Sequence, residues 1–277
     1  MSNLAKQLRA VLRALAPAPL RAWWRRRWGW RWFRGDYATW AEARAASAGY
    51  ESDAILARVL AATQEVRAGR AVFERDGVLF HAPEPDGPLL RALEEVRRRC
   101  GGTLRVLDFG GSLGSTYWRH RADLPAGSAL GWDVVEQPGF VAAGRAHLAG
   151  ERLRFFGDVR EAEAAARHDV LLCSCVLQYL EDPDRVLAEW RGTDIPYLLL
   201  NNLPLHADGP DRLRVQHVPP SIYPGSYPVR FFNRAAFLAR LTPHYEVLAE
   251  YAAEAVWPVD GGMYPSTGLL LRRKPDA

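Results

Sequence analysis

The stretch VLDFGGSLGSTY, residues 106–117, runs from a leucine- and valine-rich segment into a glycine-dense loop. A strand that empties into such a loop, with a helix-length segment behind it, is the start of a nucleotide-type site in an α/β fold. What the loop can hold follows from what it lacks. It has no lysine, so it is not a triphosphate-binding P-loop. Counting from Gly110, the second and third glycines of a dinucleotide fingerprint are replaced by Ser112 and Ser115. Asp108, expected to end the strand at the mouth of the loop, would repel a pyrophosphate but attract a cation. S-adenosylmethionine has no phosphate and carries an ammonium and a sulfonium, so it is the cofactor that these residues suit. An NAD-dependent oxidoreductase is disfavoured on the same grounds.

Outward from the loop, strand and helix patterns alternate. LRVLDFG, ALGWDVVE, LRFFGD, DVLLCSCV and YLLLNN read as strands, each separated by a helix-length segment, and this predicts a mostly parallel sheet covered on both faces. YEVLAEYAA and TGLLLRRK have no helical pattern between them and are expected to close the sheet as an antiparallel pair. Glu136, ending the second strand, is the carboxylate expected to accept from the ribose hydroxyls, with Asp133 an alternative inside the strand. Asp158, after the third strand, suits either the adenine amino group or a helix cap, because Glu161 follows three residues later. Carbonyls near Cys173 and Ser174 are placed to receive the methionyl ammonium. Cys173 and Cys175 are expected to share one strand face as small buried hydrophobes.

Residues 36–100 are expected to form a helical extension. Thr39 with Glu42 opens a short helix, a second runs from about Asp53 to Arg67, and Asp76-Gly77 marks a small hairpin. Residues 101–277 are expected to form the cofactor-binding domain. Residues 1–35 differ in kind, with nine lysines or arginines, no acid and five of the ten tryptophans. The remainder carries 27 basic against 32 acidic side chains, which argues against nucleic acid as a partner. Helical spacing of Leu4, Leu8, Val11, Leu12 and Leu15 beside interfacial tryptophans suits a peripheral contact with an anionic membrane. Packing of the tryptophans on the main domain is the alternative. No apolar run approaches the roughly 20 residues needed to span a bilayer, and cytoplasmic placement is expected.

Taken together, VLDFGGSLGSTY, VVEQPGFV, SCVLQYLEDP and DRLRVQHVPPSIYPGSYPVRFFN, with FRGDYATWAEA near the start, resemble a family of bacterial S-adenosylmethionine-dependent methyltransferases often linked to surface-polysaccharide gene clusters. The resemblance covers roughly residues 33–270. It implies a Rossmann-like, seven-stranded class I fold and cofactor contacts at Asp108, Gly110, Gly114 and Glu136. Gly111 and Ser112 belong to the same loop. Ser112 stands where the family pattern has its middle glycine, and Gly111 beside it is expected to supply the lost backbone freedom.

The segment from Asn201 to Phe232, with six prolines and two histidines, reads as a long irregular loop over the carboxyl ends of the strands, a wall for a small-molecule or glycan acceptor. A hydroxyl acceptor needs a base near its proton. His217 is the first candidate, followed by Asp211 and His206, with Tyr223 and Tyr227 to orient the acceptor. Tyr179 and Gln178 are expected to line the methyl path. A protein that binds the cofactor without transferring methyl is the competing expectation.

Overall fold

Two larger sheets and a two-stranded hairpin organise the described residues of a computed structural model, which are 32–50, 52–83, 87–124, 129–218, 224–259 and 262–275. The first elements are β1 (Phe33–Tyr37), α1 (Trp40–Ala45) and β2 (Gly49–Tyr50). Thr39 caps α1 by accepting from the Glu42 N–H at 3.2 Å, and Glu42 accepts from the Ala38 N–H at 3.0 Å. Then come α2 (Ser52–Arg67), the hairpin of β3 (Phe73–Arg75) and β4 (Val78–Phe80), and α3 (Gly87–Arg99). The α3 residues Leu89, Ala92, Leu93 and Val96 are buried at the three- and four-residue spacing of one helix face.

The larger sheet begins at β5 (Leu104–Phe109) and continues through α4 (Ser115–His120), β6 (Leu130–Val135), α5 (Pro138–His147), β7 (Leu153–Phe156), α6 (Val159–Ala165) and β8 (Val170–Ser174). A 3-10 turn (Leu177–Tyr179), α7 (Pro183–Arg191) and β9 (Tyr197–Leu203) follow. After β10 (Leu205–His206), β11 (Arg212–Val218), β12 (Gly225–Asn233) and α8 (Arg234–Leu241), the long strands β13 (Tyr245–Val259) and β14 (Gly262–Arg273) end the fold.

The seven-stranded order is β13-β14-β9-β8-β5-β6-β7. All neighbours from β9 to β7 pair in parallel, whereas β14 runs antiparallel to both β9 and β13. This is the mostly parallel, Rossmann-like seven-stranded sheet expected from the sequence, with the last strand inserted antiparallel. Its inner strands are buried on both faces, so they read as continuous apolar runs; Val170–Cys173 and Tyr197–Leu200 are all 8% exposed or less.

The segment 201–232 is not the irregular loop expected from its prolines. β11 and β12 pair antiparallel from Arg212↔Phe231 to Val218↔Gly225, and with β1, β2 and β10 they form a second sheet. Prolines are tolerated because most lie between strands. Pro228, inside β12, falls between the short pairings with β2 at Gly225–Ser226 and β10 at Phe232–Asn233, so its stretch has a partner strand on one side only. β1 crosses residue 35, where the composition suggested a boundary. Residues 33–35 of the basic arm therefore belong to this sheet, and 1–31 lie outside the described residues.

Trp257 joins the two sheets. It is 5% exposed, and its ring centroid lies 5.6 Å from that of Phe33 and 5.9 Å from that of Phe231. The second sheet is thereby held over the carboxyl ends of the larger one.

Candidate active site

The glycine loop leaves β5 with Gly110 at φ +71°, and a Cβ there would lie 2.5 Å from Val176 Cγ2. Ser112 itself adopts φ +56°, the left-handed conformation a glycine would take. Its backbone N–H donates to Glu136 Oε1 at 3.3 Å. Gly111 does not supply the freedom expected of it, since its φ is not in the left-handed region. Its role is spatial, because a Cβ would sit 2.5 Å from Asp108 Oδ2. Gly114, at φ +82°, precedes α4.

Asp108 departs from expectation. It is the penultimate residue of β5, 1% exposed, and it accepts from the Trp132 indole N–H at 3.0 Å. Burial pushes its carboxyl to about 7, opposed by the Trp132 hydrogen bond and assisted by the nearby Glu136 charge. Asp108 braces the loop from beneath rather than standing open at its mouth. Glu136, the first residue past β6, is the accessible carboxylate. It accepts from the Gln137 N–H at 2.7 Å as well as from Ser112, and burial raises its pKa against those two bonds. Asp133 is taken up inside the sheet by Arg154 and by His168 at 2.8 Å.

Asp158 caps α6, accepting from the Glu161 N–H at 2.7 Å while Glu161 accepts from Gly157 at 2.7 Å. Its other carboxylate oxygen has no partner among the described residues. Cys173 is buried in β8, and burial drives its thiol pKa upward. Ser174 Oγ accepts from Asn201 Nδ2 at 3.1 Å. Cys175 does not continue the strand. At φ +62° it turns away, so it shares no strand face with Cys173 and instead packs with Tyr179 against the cluster of Phe33, Val229, Phe231 and Trp257.

The second sheet closes the site from above. Tyr179 Oη donates to Gln216 Oε1 at 2.8 Å, and its ring meets Tyr227 edge-on at 5.3 Å. Gln216 and Tyr227 are cross-strand partners on one face, as is required for both to reach Tyr179. Strand alternation then sends the side chain of His217 to the opposite face. Its backbone N–H donates to the Trp32 carbonyl at 2.6 Å, and burial together with the Arg34 charge lowers its pKa. Asp211 is also committed elsewhere. One oxygen accepts from the Asn233 N–H at 2.7 Å and the other lies 3.0 Å from Arg240, fixing the junction of β12 and α8. Both ring nitrogens of His206 lie within hydrogen-bond distance of backbone carbonyls, at 3.0 and 3.3 Å. Tyr223 lies outside the described residues.

The β3–β4 hairpin, expected from Asp76-Gly77, also reaches the site, which the sequence did not disclose. Glu74 is 3% exposed, accepts from the Gly77 N–H at 2.9 Å and also accepts from Ser115 Oγ at the start of α4. Arg75 and Arg119 both pair with Glu254 of β13, at 2.6 and 2.7 Å. The hairpin is thus tied to the end of the glycine loop on one side and to the long terminal strand on the other. No spacing rule marks Glu74, because Ser115 lies 41 residues away.

Neither a family model nor a curated protein sequence matches the chain. Among solved structures it is similar to the N-terminal domain of EvdMO1, crystallised in the presence of S-adenosylhomocysteine and D-fucose, at 17% identity over 76% of this chain and 97% of that one, with a TM-score of 0.45. It is also similar to the 1,6-didemethyltoxoflavin-N1-methyltransferase of Burkholderia thailandensis, which has 1,6-didemethyltoxoflavin and S-adenosylhomocysteine bound (18% identity; 87% and 93% covered; TM-score 0.45). A third similar structure is CalS10, an amino pentose methyltransferase of Micromonospora echinaspora with S-adenosylmethionine bound (15% identity; 69% and 92% covered; TM-score 0.43).

Proposed function

We propose that the chain is an S-adenosylmethionine-dependent methyltransferase that transfers methyl to an oxygen or nitrogen of a small polar acceptor, with a saccharide of a surface glycan as the preferred class. The observation that carries this reading is Ser112 in a glycine's conformation with its N–H on Glu136. It supports a loop that keeps its nucleoside-binding shape although the middle glycine is gone. Gly110 and Gly111 leave no room for side chains, and Glu136 suits the ribose hydroxyls.

The cofactor supplies an activated methyl on a sulfonium, and displacement at that carbon depends on alignment and exclusion of water more than on covalent help. Glu136 and the glycine loop would hold the nucleoside. The end of β8 and Tyr179 would line the path to the acceptor. Gln216 and Tyr227 would roof it. The basic, tryptophan-rich part of the arm before β1 would hold the enzyme at the inner face of an anionic membrane, beside a lipid-carried glycan.

Calorimetric titration with S-adenosylmethionine, S-adenosylhomocysteine and NAD tests the reading. Binding of both adenosyl ligands and silence toward NAD are expected; NAD binding with no adenosyl binding would overturn it. One observation favours a second reading, cofactor binding without transfer: His217 and Asp211, the foremost candidate bases, are respectively turned away and fully engaged. Turnover of S-adenosylmethionine with any acceptor separates the two.

A further inference from the structure

We propose a second binding site at the amino ends of β5, β6 and β7, where Arg105 and Arg152 flank Gly131 and receive a phosphoryl group. This site is independent of the methyltransferase reading. Strand register sets the three residues in one row. Arg105 pairs with Gly131, and the Trp132 N–H donates to the Arg152 carbonyl at 2.7 Å, which puts Arg152 on the other side of Gly131. Side chains in such a row share a face of the sheet, here the face that α6 covers. A residue without a side chain therefore stands between two arginines. The gap opens a cavity of about 300 Å³, lined by Arg105, Gly131, Asp133, Glu151, Arg152 and Arg154. Neither backbone nor packing calls for glycine at this position. Its φ lies outside the left-handed region, and a Cβ would meet only the Arg105 side chain, at 3.6 Å from Nη1. Glycine inside a strand weakens it and marks places where another group comes close. Glu136 stands five residues further along, roughly 16 Å at the rise of an extended strand, so the cavity is separate from the glycine loop.

Charge decides what the cavity takes. The next row on the same face pairs Asp133 with Arg154, and it is already satisfied. Asp133 is 2% exposed, accepts from Arg154 Nε at 2.8 Å and lies 2.8 Å from His168 Nε2. Those bonds fix the Arg154 guanidinium in the cavity wall. Arg105 and Arg152 have no side-chain hydrogen bond or ion pair with any described residue. Against these two guanidinium groups stands one carboxylate that is not taken up, the exposed Glu151. The carbonyl end of α6 also reaches the cavity, but that dipole fades within a turn and is screened where water enters. The cavity is therefore cationic. A carboxylate, planar with two oxygens, is satisfied by one guanidinium fork. A phosphoryl dianion has three acceptor oxygens and takes a fork from each side of the gap.

Phosphorus-31 line broadening of inorganic phosphate, titrated with the full chain at fixed ionic strength, reads the site. Saturable binding is expected, displaced by sulfate and not by acetate. Arg105→Gln and Arg152→Gln should each weaken it roughly tenfold, as loss of a charge-assisted hydrogen bond does. Gly131→Val fills the gap with a good strand former and should abolish it. Glu151→Gln removes repulsion at the rim and should strengthen it a few fold. Methyl phosphate separates two sources of the same group: binding as tight as that of inorganic phosphate marks a phosphate ester, and its exclusion marks the free ion. The two arginine variants alter side chains that no described residue pairs with, so they decide the matter if Gly131→Val fails to fold. A parent that does not bind phosphate, arginine variants that bind it as the parent does, or acetate that displaces it as readily as sulfate would each overturn the proposal.

Discussion

Ser112 shows how one side chain can break a motif and keep its shape. A non-glycine residue in the left-handed region costs about 1–2 kcal/mol, and Ser112 bears that strain to keep its N–H on Glu136. Ser112→Gly should relieve the strain while adding unfolded-state entropy, leaving stability within about 1 kcal/mol of the parent. Its affinity for S-adenosylhomocysteine should change by no more than a few fold. Ser112→Val, β-branched where φ is positive, should lose about 2 kcal/mol and weaken that affinity at least tenfold; thermal unfolding and calorimetry check both. The loop was legible as a cofactor loop because residue types alone exclude phosphate. Its backbone was not, because which residue takes the unusual φ depends on Glu136, 24 residues away. Asp108 was misjudged for the same reason: its partner, Trp132, lies on the next strand. That burial has a consequence in pH. The carboxyl ionises near 3.8 when exposed and near 7 when folded, so between those values the folded chain binds more protons than the unfolded one. The associated stability is complete below about pH 4 and falls as pH approaches 7, by on the order of 4 kcal/mol. Asp108→Asn should flatten this part of a denaturant-unfolding profile measured from pH 4 to 7.5; a profile that declines as steeply as the parent's would mean the carboxyl ionises normally.

At the scale of elements, what the chain disclosed depended on how local each element's partners are. Parallel strands buried on both faces must be apolar throughout, so β5 to β9 stand out without knowledge of their neighbours. The hairpin at Asp76-Gly77 and the capped α1 are equally local. The second sheet was hidden. β11 alternates only at Leu213 and Val215 before the buried Val218 breaks the pattern, and prolines surround it. Its other partner, β1, lies about 180 residues earlier, as the Arg34↔Val215 register records. Trp257 is the element-scale consequence of that long-range pairing, since β13 reaches the second sheet through its ring. Trp257→Ala should cost about 3–5 kcal/mol, within the range for large-to-small changes at a buried aromatic. Loss should be concentrated between the sheets, so amide protection should fall in β1 and β12 before it falls in β5 or β8. Uniform loss of protection across both sheets would show that they unfold as one unit whatever Trp257 does.

For the whole molecule, the governing feature is an asymmetry of charge along the chain. The larger sheet, the second sheet and the terminal hairpin are all built from residues 33 onward, and β1 is anchored by Phe33↔Gln216 and by the Trp32 carbonyl that accepts from His217. Residues 1–31 add eight basic side chains and four tryptophans to a remainder that is mildly acidic. Each lysine or arginine near an anionic bilayer is worth about 1 kcal/mol, and tryptophan prefers the same interface, so even partial engagement of this segment would hold the protein at a membrane. A chain beginning at Trp32 keeps every pairing of β1 and should show the same rise in melting temperature on addition of S-adenosylhomocysteine as the full chain. The two should part company on vesicles. At physiological salt the full chain should sediment with phosphatidylserine-containing vesicles, less so as salt is raised, and the shortened chain should remain in the supernatant. If the shortened chain sedimented equally, or the full chain not at all, the tryptophans would have to be assigned to packing on the protein. The proposed acceptor would then be sought among soluble small molecules, since the proposal of a lipid-carried glycan rests on this segment.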